Sequence, residues 1–255
     1  ATGTVTIIGT ITVAKGGPAY SNNDDVPSDY QNTFYGWGRN TPIKGPDGLV
    51  MTAAFEPERL RQVLKPGLFG GQPGMDGYNS GNGGKPNIKG GAGGGSLVIR
   101  AQAGINITGT GSIIANGGDG DNGAESTQGG AGGGGGGFII LAAAGTITNS
   151  GTISATGGHG GNAGVGGDDF GGGGGGGGLV HYLGPNANGV ADAILTPGTG
   201  GAGSGAGSGS GSGGAMGGDG GAGGDDSAGP QRAAVDGEIG LILRTQVGNP
   251  GALFF

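Results

Sequence analysis

Carboxylates are the most regularly placed side chains that could do chemistry in this chain. Asp119 and Asp121 precede one long glycine run, and Asp168 and Asp169 precede the next. Carboxylate oxygens are ligands that Ca²⁺ accepts in proteins. A solvated acidic edge that limits aggregation is the interpretation that we favour. Calcium is the alternative, and the sequence predicts no other cofactor or metal.

One stretch tests the calcium alternative directly. The letters GGDGDN, which end at Asn122, match half of the nonapeptide GGxGxDxUx, which binds Ca²⁺ between stacked turns. The sixth position is asparagine rather than aspartate, and no nine-residue period follows. The calcium motif is therefore incomplete.

Enzyme chemistry has little support in the sequence. The chain has two histidines, His159 and His181, and no cysteine, so it has no thiolate ligand and no disulfide. No Ser-His-Asp spacing and no carboxylate pair suited to glycan hydrolysis stands out. His159 lies in a GGHGG stretch, and His181 alternates with Leu179 and Leu183, which favours structural roles. We expect a non-enzymatic protein, with a glycan hydrolase as a minor alternative.

The composition limits the partners. Of 255 residues, 76 are glycine, and the formal net charge is −7. An acidic chain is not expected to bind nucleic acid. No apolar run reaches the roughly 18 residues that a membrane helix needs, so we expect no membrane insertion.

Internal repeats argue against disorder. Three glycine blocks each lead into an apolar run that begins at Leu97, Phe138 or Leu179, which are 41 residues apart. A Thr/Ile-rich element follows each run, as in GSIIANGG and GTISATGG, and the N-terminal GTITVAKGG matches it. The predicted organisation is a first strand element at 1–17, an insert at 18–89 and a repeat body at 90–255. The units of that body lie near 90–128, 129–170, 171–214 and 215–255.

The glycine runs predict an unusual layer. Polyglycine has no side chain with which to pack as an ordinary strand, but it can form the extended left-handed helix with three residues per turn. Such helices make no internal hydrogen bonds, so their backbone groups must pair with neighbouring segments. The fold predicted is mainly β: a repeat solenoid or sandwich of short strands layered with polyglycine II helices.

The insert at 18–89 differs in composition from the repeat body. It carries most of the aromatic residues, and the letters EPERLRQVLKPG predict one short helix near 57–65. The aromatic cluster is interpreted as a small core, with surface recognition of a sugar or protein as the alternative. The recognition candidates are Tyr30, Tyr35, Trp37, Arg39 and, outside the insert, His159.

Both ends are apolar. Repeat proteins normally need polar caps, so the ends either fold back or complete a neighbouring molecule. The residues that could mediate assembly are Val5, Ile7, Ile8, Leu253, Phe254 and Phe255.

Alternating glycine runs, short strands and variable loops resemble two groups of proteins. One group is the phage tail-fibre tip adhesins, and the other is the wider set of glycine-rich bacterial surface and phage tail proteins. The stretches GSIIANGGDG and GTISATGGHGG are similar to their repeats. The resemblance covers roughly 90–245. It implies a polyglycine-helix sandwich and a place outside the cell, on a cell surface or on a virion.

We expect a structural protein that self-assembles into a fibre or filament with an adhesive role. The alternative is a receptor-binding adhesin at the tip of a phage tail fibre. The partners expected are other copies of the chain or a fibre shaft protein, together with a cell-surface glycan or protein.

Overall fold

The computed structural model describes residues 1–13, 43–45, 48–50, 70–77, 88–165, 170–203, 210–224 and 233–248, with 43–50 described by its strands alone. These residues form twelve short strands. They are β1 Val5–Ile7, β2 Thr10–Thr12, β3 Ile43–Gly45, β4 Gly48–Val50, β5 Ser96–Ala101, β6 Ile105–Ile107, β7 Ser112–Ile114, β8 Phe138–Ala143, β9 Ile147–Asn149, β10 Thr152–Ser154, β11 Leu179–Gly184 and β12 Leu241–Gln246.

Ten of the strands form three parallel sheets. Their orders are β1-β6-β9, β2-β7-β10 and β5-β8-β11-β12, while β3 and β4 form an antiparallel pair inside the insert. The helical content of the described residues is one 3₁₀ turn, Ala187–Gly189. The expectation of a mainly β chain is confirmed. The helix predicted near 57–65 lies outside the described residues.

The repeat determines which strands become neighbours. Two units contribute one long strand followed by two short ones, and we call this set a layer: β5, β6 and β7 form one, and β8, β9 and β10 the next. In the third unit, β11 is followed by the 3₁₀ turn and by the single bridging residue Ile194. Equivalent strands pair in parallel, so Phe138 lies beside both Ser96 and Leu179. The sequence alignment of Leu97 with Phe138 is therefore wrong by one residue, because Leu97 pairs with Ile139.

Successive layers are joined by the same backbone hydrogen bond. The N–H group of the residue just before each long strand donates to the carbonyl at the end of the preceding layer. The four donor and acceptor pairs are Gly95 to Val13, Gly137 to Ala115, Gly178 to Ala155 and Gly240 to Leu195.

The apolar residues pack on both faces of the four-stranded sheet. One cluster lies between the three sheets and contains Ile105, Ile107, Ile113, Leu141 and Tyr182. A second lies on the opposite face and contains Phe138, Ile140, Leu179, Leu183 and Met216. Burial on both faces explains why β8 and β11 are apolar at successive positions.

The glycine run 130–137 hydrogen-bonds with a three-residue period. Residues 130, 133 and 136 donate to 170, 173 and 176; residues 131, 134 and 137 donate to 121, 118 and 115; residues 132 and 135 donate to 75 and 72. The carbonyl groups of the run accept from three further segments. Its six neighbours are 70–77, 90–95, 115–123, 155–164, 170–178 and 210–217.

The run 130–137 and its six neighbouring segments together are called the glycine layer. Only glycine fits at most positions of this glycine layer. A methyl group added to Gly133 would overlap the carbonyl oxygen of Gly158, and one added to Gly136 would overlap that of Ala155. Glycine is costly in regular structure, by about 0.5–1 kcal/mol relative to alanine, whereas a net hydrogen bond contributes about 0.5–1.5 kcal/mol. Backbone pairing offsets this cost: all eight N–H groups of 130–137 donate, and seven of the eight carbonyls accept from described residues.

Candidate interaction surfaces

An exposed polar face runs along one side of the glycine layer. Three neighbouring extended segments, 115–123, 155–164 and 194–202, each present every third residue outward. We call these nine residues, all polar except Ala202 and all exposed except the half-buried Thr156, the polar face: Asn116, Asp119, Asn122, Thr156, His159, Asn162, Thr196, Thr199 and Ala202.

Side chains of the polar face accept hydrogen bonds from the next segment. The Oδ1 atom of Asp119 accepts the backbone N–H of His159 at 2.7 Å. In turn, Nδ1 of His159 accepts the backbone N–H of Thr199 at 3.0 Å. Because Nδ1 is an acceptor, the neutral imidazole carries its proton on Nε2.

The same contact recurs along the face at a spacing of 40 residues. Oδ1 of Asn122 accepts from the backbone of Asn162, whose own Oδ1 accepts from Ala202, both at 2.7 Å. Oδ1 of Asn116 accepts from the backbone of Thr156 at 3.0 Å and from the hydroxyl of Ser154 at 2.7 Å. The polar side chains therefore satisfy the outward-facing N–H groups at the edge of the glycine layer.

The carboxylates considered as calcium ligands already bind backbone donors. Asp119 binds His159 as above, and Oδ2 of Asp121 accepts the backbone N–H of Lys89 at 3.1 Å. Within the described ranges, no three His, Cys, Asp or Glu side chains come together as a metal site. Asp168 and Asp169 lie outside the described residues.

Asp76 is a buried acidic residue that the sequence analysis missed. Its side chain is fully buried. It accepts the Lys89 ammonium at 2.9 Å and the backbone N–H of Gly90 at 2.8 Å. Two segments 13 residues apart are thus joined by an ion pair, and no motif in the sequence indicates this pairing.

His181 and Tyr182 occupy opposite faces of β11. His181 is buried beside Leu179 and Leu183, and burial lowers its pKa from 6.5 to about 4. Burial raises the pKa of Tyr182 to about 12, although the nearby Arg244 opposes this shift. The tyrosine hydroxyl donates to the Ala191 carbonyl at 3.2 Å, and the Arg244 guanidinium lies 5.4 Å from the ring centroid. These contacts are those of core residues.

Arg244 also fixes the chain that follows the 3₁₀ turn. It donates to the Val190 carbonyl at 3.1 Å and forms an ion pair with Asp192. The arginine thereby ties β12 to the segment after β11.

The N-terminal candidates for assembly have different environments. Ile7 is buried in the core between the sheets, and Val5 is half-buried against it. Ile8 is 65% exposed at the turn between β1 and β2. Of these three side chains, Ile8 is the one available to a partner. Leu253, Phe254 and Phe255 lie outside the described residues, as do the recognition candidates Tyr30, Tyr35, Trp37 and Arg39.

The edges of the sheets are closed in some places and open in others. Asn186 closes the edge at β9, because its side-chain amide accepts from the Ile147 N–H at 2.9 Å and donates to the Ile147 carbonyl at 2.8 Å. Ile194 forms a parallel bridge with Ser154 at the edge of β10. Among the described residues, no strand covers the outer edge of β12, and β5 has only Ala1 beside it.

No helix in the described residues is long and apolar enough to cross a bilayer. Comparison with protein-family models, with curated proteins and with solved structures finds no match.

Proposed function

We propose that this chain is a non-enzymatic structural protein of an extracellular or virion surface. It self-assembles into a fibre or filament and contributes to adhesion. The observation that carries the proposal lies in the four-stranded parallel sheet: among the described residues, no strand covers the outer edge of β12, and only Ala1 pairs beside β5. An open edge presents unpaired N–H and C=O groups, which are a template for another strand.

The proposed material is a solenoid of layers backed by polyglycine II helices. The three-residue period of the hydrogen bonds in 130–137 supports this conformation, since a helix with three residues per turn points each set of donors in one of three directions. Six neighbours around one run are what close packing of such helices requires. A body held by paired backbone groups in every direction is stiff, which suits a load-bearing fibre.

The alternative is a receptor-binding adhesin at the tip of a phage tail fibre. The polar face supports it, because exposed side chains such as His159 stand on a rigid scaffold, as binding residues commonly do. Nδ1 of His159 is occupied by the backbone N–H and the hydroxyl of Thr199, which leaves its Nε2–H group to contact a sugar or a protein on that face. In this alternative the chain lies at the tip of a fibre and does not form its shaft.

Negative-stain electron microscopy with light scattering on the purified 255-residue chain separates the two functions. Regular filaments whose mass grows with concentration are the result expected. Uniform compact particles of one chain would contradict self-assembly and favour the adhesin. Binding to cells would then be compared between wild type and His159→Ala.

A further inference from the structure

The described residues hold an incomplete layer at each end of the stack. At one end, β1 pairs with β6 and β2 with β7, but beside β5 only Ala1 is paired. At the other end, β12 pairs with β11, and no short strands accompany it among the described residues. One end therefore has the two short strands of a layer, and the other has the long strand.

We infer that β12 of one copy pairs in parallel with β5 of a second copy. The long strand of the first copy and strands β1 and β2 of the second then make one complete layer. This inference rests on the proposed function, because it names the contact through which copies join head to tail.

The backbone groups of the two edges are oriented for this pairing. The N–H groups of Phe138 and Ala144 donate to the carbonyls of Gly95 and Ala101, so the odd-numbered residues of β5 face β8. Backbone groups alternate in direction along a strand, so those of Ser96 and Val98 face away from the sheet.

The same reasoning applies to β12. The N–H groups of Leu241 and Val247 donate to the carbonyls of Gly178 and Gly184, so the odd-numbered residues of β12 face β11. The backbone groups of Ile242 and Arg244 then face outward. Within the described ranges these outward groups have no backbone partner.

The internal register predicts how the two edges align. Ser96, Phe138, Leu179 and Leu241 occupy the same position in the four long strands. Continuing the pattern sets Leu241 of one copy beside Ser96 of the next. Ala1 lies beside Ala101, where it accepts the N–H of Gln102 at 2.9 Å and donates to the Arg100 carbonyl at 2.8 Å. It leaves the earlier part of β5 for the incoming strand.

The burial of the long strands supports the same contact. All six residues of β8 and of β11 are buried, whereas β5 and β12 are half-buried along their apolar stretches. The residues concerned are Leu97, Val98, Ile99, Leu241, Ile242 and Leu243. These types match the fully buried residues of the inner strands, so pairing of the edges would remove their remaining apolar surface from water.

Disulfide trapping tests the register, since the chain has no cysteine of its own. The on-register variant is Ser96→Cys with Leu241→Cys. Neighbouring strands are about 4.8 Å apart, which lies within the range of about 4.4–6.8 Å between Cα atoms in a disulfide. The control is Ser96→Cys with Leu243→Cys, which is displaced by two residues, or about 6.6 Å along the strand. Both leucines lie on the same face, so the two variants are closely matched.

After mild oxidation of assembled protein, the on-register variant should give a ladder of covalent oligomers on a non-reducing gel. The ladder should collapse on reduction, and the displaced variant should give at least tenfold less of it. Wild-type filaments with no ladder, or with equal ladders from both variants, would overturn this contact while leaving the proposed function intact. Absence of wild-type filaments would overturn the proposed function, and the contact with it.

Discussion

The Nε2 atom of His181 on β11 lies 2.8 Å from the hydroxyl oxygen of Thr245 on β12, and Nδ1 has no hydrogen-bond partner among the described residues. A neutral imidazole can make this single contact inside an apolar cluster. A charged imidazolium would be buried without a counterion, which is why burial lowers the pKa to about 4.

The free energy of unfolding should therefore decrease as the pH is lowered. The unfolded chain binds a proton at His181 near pH 6.5 and the folded chain near pH 4. Stability is thus fully present above pH 6.5 and falls as the pH drops towards 4. The loss corresponds to roughly 3 kcal/mol. Chemical denaturation between pH 8 and pH 4 measures it.

His181→Leu is the control for this pH dependence, because leucine fits beside Leu179 and Leu183, and the exposed Thr245 can bond to water. The variant should lose this part of the pH dependence and keep the rest. An unchanged slope between pH 6.5 and pH 4 would show that other groups cause it.

The glycine layer should reject a single methyl group at its centre. Gly133→Ala forces overlap with the carbonyl oxygen of Gly158, and overpacking of this kind costs about 1–3 kcal/mol. Gly118→Ala is the matched control, since its methyl group would meet its nearest neighbour at 3.4 Å. The control should stay within about 1 kcal/mol of wild type. Urea denaturation of both variants tests the difference, and equal stabilities would contradict close packing.

Asn186 should stabilise the β9 edge through its side chain. Asn186→Ala leaves both backbone groups of Ile147 without partners, at a cost of about 1–3 kcal/mol. Asn188→Ala, in the exposed part of the same turn, should leave stability unchanged. Thermal unfolding compares the two, and hydrogen exchange at the Ile147 amide should accelerate in the first variant alone. Slow exchange in both would mean that another group protects this edge.

The polar face should contribute to stability through acceptors rather than through charge. Asn116→Ala removes the acceptor for the Thr156 N–H and for the Ser154 hydroxyl, and we expect a loss of about 1 kcal/mol. Asn116→Asp keeps an acceptor at the same place and should retain most of the stability at pH 7. If both variants lost the same stability in urea denaturation, the amide nitrogen would be the important group instead.

The sequence was most informative where apolar runs repeat. The apolar runs that begin at Phe138 and Leu179 correspond to β8 and β11, and both strands are buried throughout. The first equivalent strand begins one residue earlier than predicted, because the polar Ser96 occupies a pairing position that the apolar pattern did not include. Hydrophobicity indicates a strand more reliably than its register.

The polar face was only partly predictable. The sequence analysis placed Asp119 before a glycine run and His159 in a GGHGG stretch, but it did not bring the two residues together on one face. A signal was present: polar residues recur every third position, as at 116, 119 and 122, and again 40 residues later. The buried pair of Asp76 and Lys89 had no such signal, because it depends on which glycine segments become neighbours.

The run 130–137 must also be held in one register relative to its neighbouring segments. Successive positions of nearly pure glycine look alike to a neighbouring segment, so a slide by three residues would restore the same hydrogen bonds. The run alone cannot define its own alignment. Strands such as β8, with side chains of distinct shape, must therefore act as the reference marks. The acceptor side chains of the polar face, such as Asp119, must also fix the alignment of the glycine segments.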